Sequence, residues 1–331
     1  MDITYIFRTQ SHQRSIERVF EPIIERMKAS GHNVSVEFAV KKKSLLATLW
    51  TNIWHFRKVS QKQICHITGD VQYVACLMNP KHTILTIHDL VPLHNKKVPW
   101  YSKFLCYWLW YYIPLKRLHQ ITCISETTKR DILTFFPWAE KKITVINNPV
   151  DDSFTYSPKE FNTDCPRILH IGTKPNKNLS RVIEALVGTK CHLRIIGKLP
   201  EVEKSLLQRY KIDFSNAFGI SDEQIVEEYK QADIISFPST FEGFGMPIIE
   251  GQTVGRLVVT SDKEPMRSVA GGGAILVDPE DVLSIRNAIV NSVCDDVHRS
   301  IVVKKGIRNA VRFHASKIIK EYCKLYINTL M

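Results

Sequence analysis

The feature that most constrains the fold is a series of short apolar segments that alternate with helical patterns. They lie at residues 3–7, 34–40, 64–67, 83–87, 121–124 and 143–146 in the first half, and at 167–171, 192–196, 234–237 and 257–260 in the second. Short strands that are apolar on both faces and separated by helices are typical of a parallel sheet covered on both sides. The sequence therefore predicts an α/β chain with two Rossmann-like domains, with ligands beyond the carboxyl ends of the strands in a cleft between the domains.

A polar stretch from Asn147 to Cys165 separates the two series of strands, and a chain of 331 residues is long enough for two domains. We place the first domain at residues 1–155 and the second at 156–311, and we expect a C-terminal helix at about 312–331 to complete the first. No run of about eighteen apolar residues predicts a membrane span, and the start of the chain does not resemble a signal peptide. The eight cysteines contain no Cys-x-x-Cys pair, which indicates reduced core residues in a cytoplasmic protein.

The stretch from Phe237 to Glu250 is the best candidate for a binding site. A buried strand ends at Pro238, a loop with two glycines follows, and Pro247 suits the first position of a helix. The free N–H groups and the dipole at a helix start favour an anion such as a phosphate. Because carboxylates repel phosphate, we expect Glu242 and Glu250 to accept hydrogen bonds from hydroxyls at the two ends of a phosphorylated ligand, as in a sugar nucleotide. The alternative is an ordinary strand–turn–helix with two solvated glutamates.

The run Glu242-Gly243-Phe244-Gly245-Met246-Pro247, followed by Glu250, resembles the Glu-x7-Glu signature of glycosyltransferase family 4. Members of this family are retaining enzymes with the GT-B fold. The resemblance implies that Glu250 holds the ribose hydroxyls of a nucleotide-diphosphate sugar and that Glu242 holds the hydroxyls of the sugar. It also implies that the loop contacts the donor through Gly243, Phe244, Gly245 and Met246.

A second candidate loop follows the first strand of the second domain and runs from Gly172 to Leu179. Its two lysines, Lys174 and Lys177, lie near a helix start and suit a diphosphate and its departing charge. The loop resembles the family's phosphate loop, and this implies that Gly172 and Lys177 bind the donor. Thr173 stands where the family usually has arginine, so Lys174 is the nearest substitute for that cation. The alternative is a pair of surface lysines at a helix start.

Other segments resemble the family as well. Thr86-Ile87-His88-Asp89 is similar to a segment of mannosyl- and rhamnosyltransferases, which implies that His88 lies against the donor sugar, whereas Asp89 could instead cap the next helix. Ser125 or Thr127 is expected to be a helix N-cap. Phe218 and Gly219 correspond to the stretch whose backbone lies by the nucleotide base.

The basic residues are unevenly distributed. Residues 1–150 contain 21 Lys and Arg against 10 Asp and Glu, whereas residues 151–331 contain 24 against 23. The segment from Pro99 to His119 is rich in Trp and Tyr and is flanked by cations, which suits a bilayer interface, with Trp108 and Trp110 as contacts. The alternative to a membrane contact is a core helix for the aromatic segment and a solvated surface for the basic residues. Nucleic acid is not expected as a partner, because no helix-turn-helix or aromatic–basic sheet motif is present.

The resemblance implies a retaining glycosyltransferase that uses a nucleotide-diphosphate sugar, with a GDP-mannose type favoured and a UDP-sugar as the other option. We expect a growing, lipid-linked glycan such as O-antigen as the acceptor, and attachment to the inner face of the cytoplasmic membrane. No Asp-x-Asp motif is present, so no metal and no cofactor are expected. Arg8-Thr9-Gln10-Ser11-His12 replaces the family's Gly-Gly loop near the acceptor. The alternatives are another GT-B enzyme, such as a hydrolysing epimerase, and a basic membrane-binding module without catalysis.

Overall fold

The computed structural model describes residues 1–9, 15–94 and 98–330 and divides into two compact units. Unit 1 comprises Met1–Asp151 together with the segment from Ala315 on, and unit 2 comprises Asp152–His314. The boundary predicted at residue 155 therefore lies just inside unit 2, and the C-terminal segment of unit 1 begins at Ala315 rather than at residue 312.

Within the described residues, each unit contains one six-stranded parallel sheet. In unit 1 the strand order is β2-β1-β3-β4-β5-β6, and in unit 2 it is β12-β11-β10-β7-β8-β9. The strands of unit 1 are β1 Asp2–Phe7, β2 Asn33–Phe38, β3 Ile64–Ile67, β4 Thr83–Ile87, β5 Gln120–Cys123 and β6 Ile143–Val145. Those of unit 2 are β7 Arg167–Ile171, β8 His192–Ile196, β9 Phe214–Ala217, β10 Ile234–Phe237, β11 Leu257–Ser261 and β12 Ile275–Val277. Every segment predicted to be a strand is one.

Helices connect the strands in both units. They are α1 Ser15–Ala29, α2 Leu45–Val59, α3 Val91–His94, α4 Trp100–Cys106, α5 Ile113–Arg117, α6 Glu126–Phe135, α7 Leu179–Ala185, α8 Glu201–Arg209, α9 Asp222–Gln231, α10 Met246–Val254, α11 Met266–Ala270, α12 Val282–Cys294, α13 Asp296–Ala310 and α14 Ala315–Leu330. A π-helical segment, Tyr107–Tyr112, joins α4 to α5. Short 3₁₀ turns lie at Gln72–Cys76, Pro137–Lys142, Pro175–Lys177 and Val311–Phe313. The sequence also predicts an amphipathic helix from Ser11 to Ser30 in the place of α1, and its first four residues, 11–14, lie outside the described residues.

Two apolar cores cover the two faces of the sheet in unit 1. On one face α2, the turn Gln72–Cys76 and the helical run 107–117 pack through side chains such as Phe56 and Leu115. On the other face α1 and α14 pack through Phe20 and Tyr326. The sheet is therefore buried on both sides, as the apolar strands predict.

The helix α14 is tied to the sheet of unit 1 by a buried polar network. The hydroxyl of Tyr326 lies 2.7 Å from Nδ1 of His66 and donates to the hydroxyl of Tyr5 at 3.0 Å. Nε2 of His66 lies 2.7 Å from Oγ1 of Thr86. Burial lowers the pKa of His66 to about 3, so the ring is neutral and one nitrogen donates while the other accepts. The network joins α14 to β1, β3 and β4.

The Trp- and Tyr-rich stretch has both buried and exposed members. Trp100 and Phe104 on α4 are 79% and 62% exposed, and Trp108 is partly exposed. Trp110 instead packs against Tyr73, with ring centroids 4.8 Å apart, at the edge of the apolar core. Trp110 is partly buried and less exposed than Trp100 and Phe104, and its contact with a membrane stays a prediction. Lys96 and Lys97 lie outside the described residues.

Within the described part of the chain, no helix combines the length and apolar character needed to cross a bilayer. Each of the eight cysteines is a free thiol. Burial raises the pKa of several of these thiols, including those of Cys65 and Cys123, to about 12, so they stay protonated. The prediction that the cysteines are core residues holds for the buried Cys65, Cys123 and Cys191, whereas Cys294 is exposed.

Candidate functional site

The two candidate loops of unit 2 meet because the strands that precede them are neighbours. β7 and β10 pair directly, with Ser236 opposite His170, so the loops that follow both strands leave the same edge of the sheet. The loops are also bonded to each other. The backbone N–H of Thr240 donates to the carbonyl of Asn176 at 2.8 Å, and the side-chain amide of Asn176 donates to the carbonyl of Phe241 at 3.0 Å.

Lys177 and Glu242, predicted separately, form an ion pair at this junction. Nζ of Lys177 donates to Oε1 of Glu242 at 2.7 Å, and the amide of Asn176 donates to the same oxygen at 3.2 Å. Both side chains of the pair are half-buried, and Nζ also lies 4.6 Å from the ring centroid of Phe237. The lysine and the carboxylate therefore form one unit of nearly zero net charge.

A glycine makes room for the lysine. Gly172 has a φ of +91°, a conformation that other residues rarely adopt. A Cβ atom at this position would lie 3.0 Å from Cγ and 3.1 Å from Cε of Lys177. Glycine at residue 172 thus allows the aliphatic part of Lys177 to lie directly against the loop.

The side chain of Asn178 holds the loop from Gly172 to Leu179 in place. The residue adopts a left-handed conformation with a φ of +66°, which asparagine tolerates better than most residues. Its buried side-chain amide donates to the carbonyls of Pro238 and Pro279 at 3.0 and 2.6 Å. Arg181 donates to its side-chain oxygen at 2.9 Å. No role was predicted for this side chain, although an asparagine just before a helix is a recognisable signal.

The glycine loop leads into α10 as the sequence predicts. Gly245 has a φ of +115°, and an added Cβ would lie 2.9 Å from Cδ1 of Ile248, so the position requires glycine. Met246 is the first residue of α10, and Pro247 lies in its first turn. The side chain of Phe244 is buried and packs against Phe313, with centroids 5.7 Å apart. Of Phe244, only the backbone is therefore left to contact a ligand.

Glu250 lies one turn into α10 and is oriented by a tyrosine. The buried hydroxyl of Tyr229, on α9, donates a short hydrogen bond to Oε2 of Glu250. This contact holds the carboxylate at the surface of α10, where the side chain is half-buried. The role of Tyr229 was not predicted, because α9 and α10 meet only in the folded unit.

Two exposed lysines lie near Thr173, the residue that stands where the family usually has arginine. The hydroxyl of Thr173 donates to the carbonyl of Lys198 at 2.6 Å, which brings the loop after β8 against the loop after β7. Lys174 and Lys198 are both exposed, and neither forms an ion pair with any residue that the structure describes. Only Lys174 was predicted from the sequence, so Lys198 is a second source of positive charge beside the loop.

His170 lies beneath the ion pair at the end of β7 and is fully buried. Burial, and then the charge of Lys177, lowers the pKa of His170 to about 4. The ring is therefore neutral at pH 7 and adds no charge to the site. At the end of β9, Phe218 is exposed and Gly219 has a φ of +68°.

His88 belongs to unit 1, where it lies at the carboxyl end of β4. Its Nε2 is 2.7 Å from the carbonyl of Thr68, and burial lowers its pKa. Because a carbonyl only accepts, the proton is on Nε2 and Nδ1 is an acceptor. The carboxylate of Asp89 accepts from the backbone N–H of Val91 at 3.0 Å, so this residue caps α3, which was one of the two roles considered.

The remaining predicted residues either have a structural role or belong to a segment that the structure describes only in part. Ser125, not Thr127, is the N-cap of α6, since its hydroxyl accepts from the backbone of Thr128. Of the segment expected near the acceptor, only Arg8 and Thr9 are described, and Arg8 donates to Asp70 at 2.7 Å. No cluster of three or more His, Cys, Asp or Glu side chains suited to a metal ion occurs among residues 1–9, 15–94 and 98–330.

Two family models match consecutive parts of the chain. Residues 31–154 match "Glycosyltransferase Family 4", and residues 155–308 match "Glycosyl transferases group 1". Together the two models take in most of both units, and the division between them lies close to the unit boundary.

Curated relatives and solved structures are similar to the chain. O-antigen chain mannosyltransferase B of Escherichia coli is 35% identical over 216 residues, which are 58% of this chain and 56% of that protein. O-antigen chain mannosyltransferase RfbU of Salmonella typhimurium is 27% identical, over 64% of this chain and 61% of that protein. The chain thus spans about three fifths of the length of these relatives. Sucrose-phosphate synthase from Thermosynechococcus elongatus superposes with a TM-score of 0.79 at 16% identity, covering 99% of both chains.

The superposition confirms the predicted α/β fold class of the GT-B type. The two family models confirm the resemblance inferred from the Glu242–Glu250 signature. The chain belongs to glycosyltransferase family 4.

Proposed function

We propose that this chain is a retaining glycosyltransferase that moves a sugar from a nucleotide-diphosphate sugar to a growing glycan. The observation that carries the proposal is the Lys177–Glu242 pair, held between two bonded loops beside the start of α10. A sugar nucleotide needs this combination, because its diphosphate requires positive charge and its hydroxyls require a carboxylate acceptor. Family membership and the names of the mannosyltransferase relatives support the same reaction class.

The leaving diphosphate gains negative charge as its bond to the sugar breaks. Lys177 and the free N–H groups at the start of α10 stabilise that charge, which is usually the largest single contribution to such catalysis. Because Lys177 is already paired with Glu242, the site needs a further cation. Lys174 and Lys198 are the two exposed lysines at hand, and either can take the place of the family's arginine.

The hydroxyl groups of the donor are assigned to carboxylates and a histidine. Glu250, oriented by Tyr229, holds the ribose hydroxyls, and Glu242 holds those of the sugar. Gly172, the loop from Gly243 to Met246, and the backbone at Phe218-Gly219 contact the rest of the donor. His88 of unit 1 offers Nδ1 as an acceptor for a hydroxyl of the transferred sugar.

The transfer step is assigned no side-chain nucleophile. The acceptor hydroxyl attacks the anomeric carbon on the face that the diphosphate leaves, and the leaving phosphate takes its proton.

A GDP-mannose type of donor is favoured, since both relatives are named mannosyltransferases. A lipid-linked glycan is the proposed acceptor, met at the inner face of the cytoplasmic membrane. The exposed aromatic side chains of α4 suit that surface.

The direct test is a panel of sugar nucleotides. A donor that binds only the native state should raise the melting temperature of the protein, and GDP-mannose is expected to give the largest shift. Transfer from that donor to a lipid-linked acceptor, read as an added hexose mass, should continue in EDTA. No thermal shift with any donor would contradict the proposal. A strict requirement for a divalent ion would contradict the metal-independent mechanism.

Replacing Glu250 by alanine should weaken donor binding. A charged acceptor that serves two hydroxyls is worth roughly 1.5–3 kcal/mol, or about 10- to 150-fold in the dissociation constant of the donor. Glu227→Ala, on the exposed face of α9, removes the same charge away from the site and should leave that constant unchanged. Calorimetric titration with the donor measures both variants, and equal affinities would refute the assignment.

Replacing Gly172 by alanine should displace Lys177. The added Cβ would lie 3.0 Å from Cγ of Lys177, so the lysine side chain must move by a few tenths of an ångström, and turnover should fall by less than the roughly hundredfold that a 1 Å misplacement can cost. Gly188→Ala is the matched control, because Gly188 also has a positive φ, of +73°, but an added Cβ there meets no atom within 4 Å. Both variants should lose similar stability to backbone strain, but only Gly172→Ala should lose turnover. Similar turnover in the two variants would mean that the close contact has no functional role.

A further inference from the structure

Helix α2 of unit 1 has an apolar surface that the fold does not use. One side of α2 packs on the sheet through Leu49 and Phe56, which are buried. The first half of α2 also carries Leu45, Leu46 and Trp50 on the surface, with Leu46 79% and Trp50 68% exposed. Leu46 and Trp50 are four residues apart and so are neighbours on the surface of α2, and with Leu45 they form an apolar patch of the kind that marks an interaction site.

The sequence on either side of this patch is basic, and the nearest carboxylate in contact with α2 is that of Glu37, which pairs with His55 at 2.5 Å in the second half of the helix. Lys41, Lys42 and Lys43 directly precede α2 and are all exposed. The sequence from residue 38 to 69 contains six Lys and Arg and no Asp or Glu, and from 90 to 125 it contains five and none. An apolar patch bordered by cations is complementary to anionic headgroups lying over an acyl layer.

A second patch lies on the same face of the sheet. α2 and the helical run that continues α4 belong to one apolar core, and Tyr73 contacts both. Its hydroxyl accepts from Asn52 of α2 at 2.9 Å, and its ring packs on Trp110. The exposed residues of α2 and those of α4 are therefore carried by neighbouring elements of unit 1.

We propose that residues 41–50 form a membrane-binding surface for an anionic bilayer and act together with the exposed side chains of α4. Leu46 and Trp50 enter the boundary between headgroups and acyl chains, while Lys41–Lys43 contact the phosphates. This inference rests on the proposed function in one respect: a lipid-linked acceptor lies in a membrane, so the enzyme has to reach the membrane surface. A second copy of the chain is a poorer occupant, since a symmetric contact through this patch brings the two Lys41–Lys43 runs close together.

The test uses the full chain and vesicles with and without phosphatidylglycerol. Leu46→Ser with Trp50→Ser should reduce partitioning onto phosphatidylglycerol vesicles at least tenfold. Val202→Ser with Leu283→Ser removes two comparably exposed apolar side chains from unit 2 and should leave partitioning unchanged. Because all four positions are exposed, both variants should melt at the temperature of the unaltered protein.

A charge variant tests the basic residues independently. Replacing Lys41, Lys42 and Lys43 by glutamine should weaken binding at low salt and reduce its dependence on salt concentration. Brominated lipids should quench Trp fluorescence, and the quenched fraction should fall in Trp50→Phe.

Two results would overturn the proposal. In the first, the Leu46 and Trp50 variant binds phosphatidylglycerol vesicles as tightly as the unaltered protein. In the second, sedimentation without lipid shows a dimer that this variant dissociates, which would make a second copy the occupant. The thermal shift with sugar nucleotides is measured without vesicles, so failure of the catalytic proposal is distinguishable from failure of this one.

Discussion

Replacing Lys177 by alanine is expected to lower the rate of sugar transfer by roughly 100- to 1,000-fold, because the leaving diphosphate loses its fixed cation. The pair with Glu242 gives this prediction a second part. Removing Glu242 frees the lysine and removes a repulsive carboxylate, so Glu242→Gln should bind a nucleoside diphosphate as tightly as the unaltered protein or more tightly. The same variant should transfer sugar slowly, since in the proposed site Glu242 is the acceptor for the sugar hydroxyls.

The measurements are turnover and the affinity for GDP and UDP in the two single variants and the double variant. Lys190→Ala, an exposed lysine elsewhere in unit 2, controls for the loss of one positive charge. If Lys177 only neutralises Glu242, the double variant should recover the diphosphate affinity that Lys177→Ala loses. Such recovery would contradict direct contact between the lysine and the diphosphate.

Replacing Asn178 by alanine is expected to destabilise unit 2 by roughly 3–8 kcal/mol. The carbonyls of Pro238 and Pro279 would lose their donor, and each buried group left unpaired costs roughly 1–3 kcal/mol. Alanine at a φ of +66° adds about 1–2 kcal/mol of backbone strain.

Asn178→Gly separates the two contributions, because glycine removes the hydrogen bonds without the strain. Urea unfolding of the full chain should place this variant between the unaltered protein and Asn178→Ala. A change in unfolding free energy below about 1 kcal/mol in the alanine variant would show that the amide does not hold the two loops together.

The sequence predicts the strands and the two loops of unit 2 because their signals are local. Apolar runs bounded by Gly, Pro and Asn identify the strands, and Gly245 and Pro247 mark the start of α10. The ion pair between Lys177 and Glu242 has no local signal, since the two residues are 65 positions apart and meet only because β7 pairs with β10. The contact between Tyr229 and Glu250 depends in the same way on the packing of α9 against α10.

The Trp- and Tyr-rich stretch from Pro99 to His119 shows a different limit of prediction from the sequence. Helical periodicity of 3.6 residues would decide which of its side chains face the sheet, but the segment Tyr107–Tyr112 is π-helical. A π segment changes the register only of residues that follow it, whereas Trp100, Phe104 and Trp108 are exposed at the four-residue spacing of one helix face and Trp110 lies off that face, against Tyr73. The prediction grouped the aromatic residues by composition alone and so missed this division.

The position of α14 has a consequence for the order in which the chain can be completed. Unit 2 is continuous in sequence, whereas the sheet of unit 1 needs a helix that a ribosome makes only after all of unit 2. At roughly 5–20 residues per second, the 163 residues from Asp152 to His314 take about 10–30 s to synthesise. During that interval Tyr5, Phe20 and His66 have no α14 to cover them, so the nascent protein carries an open apolar face that a chaperone or a second unfinished chain can bind.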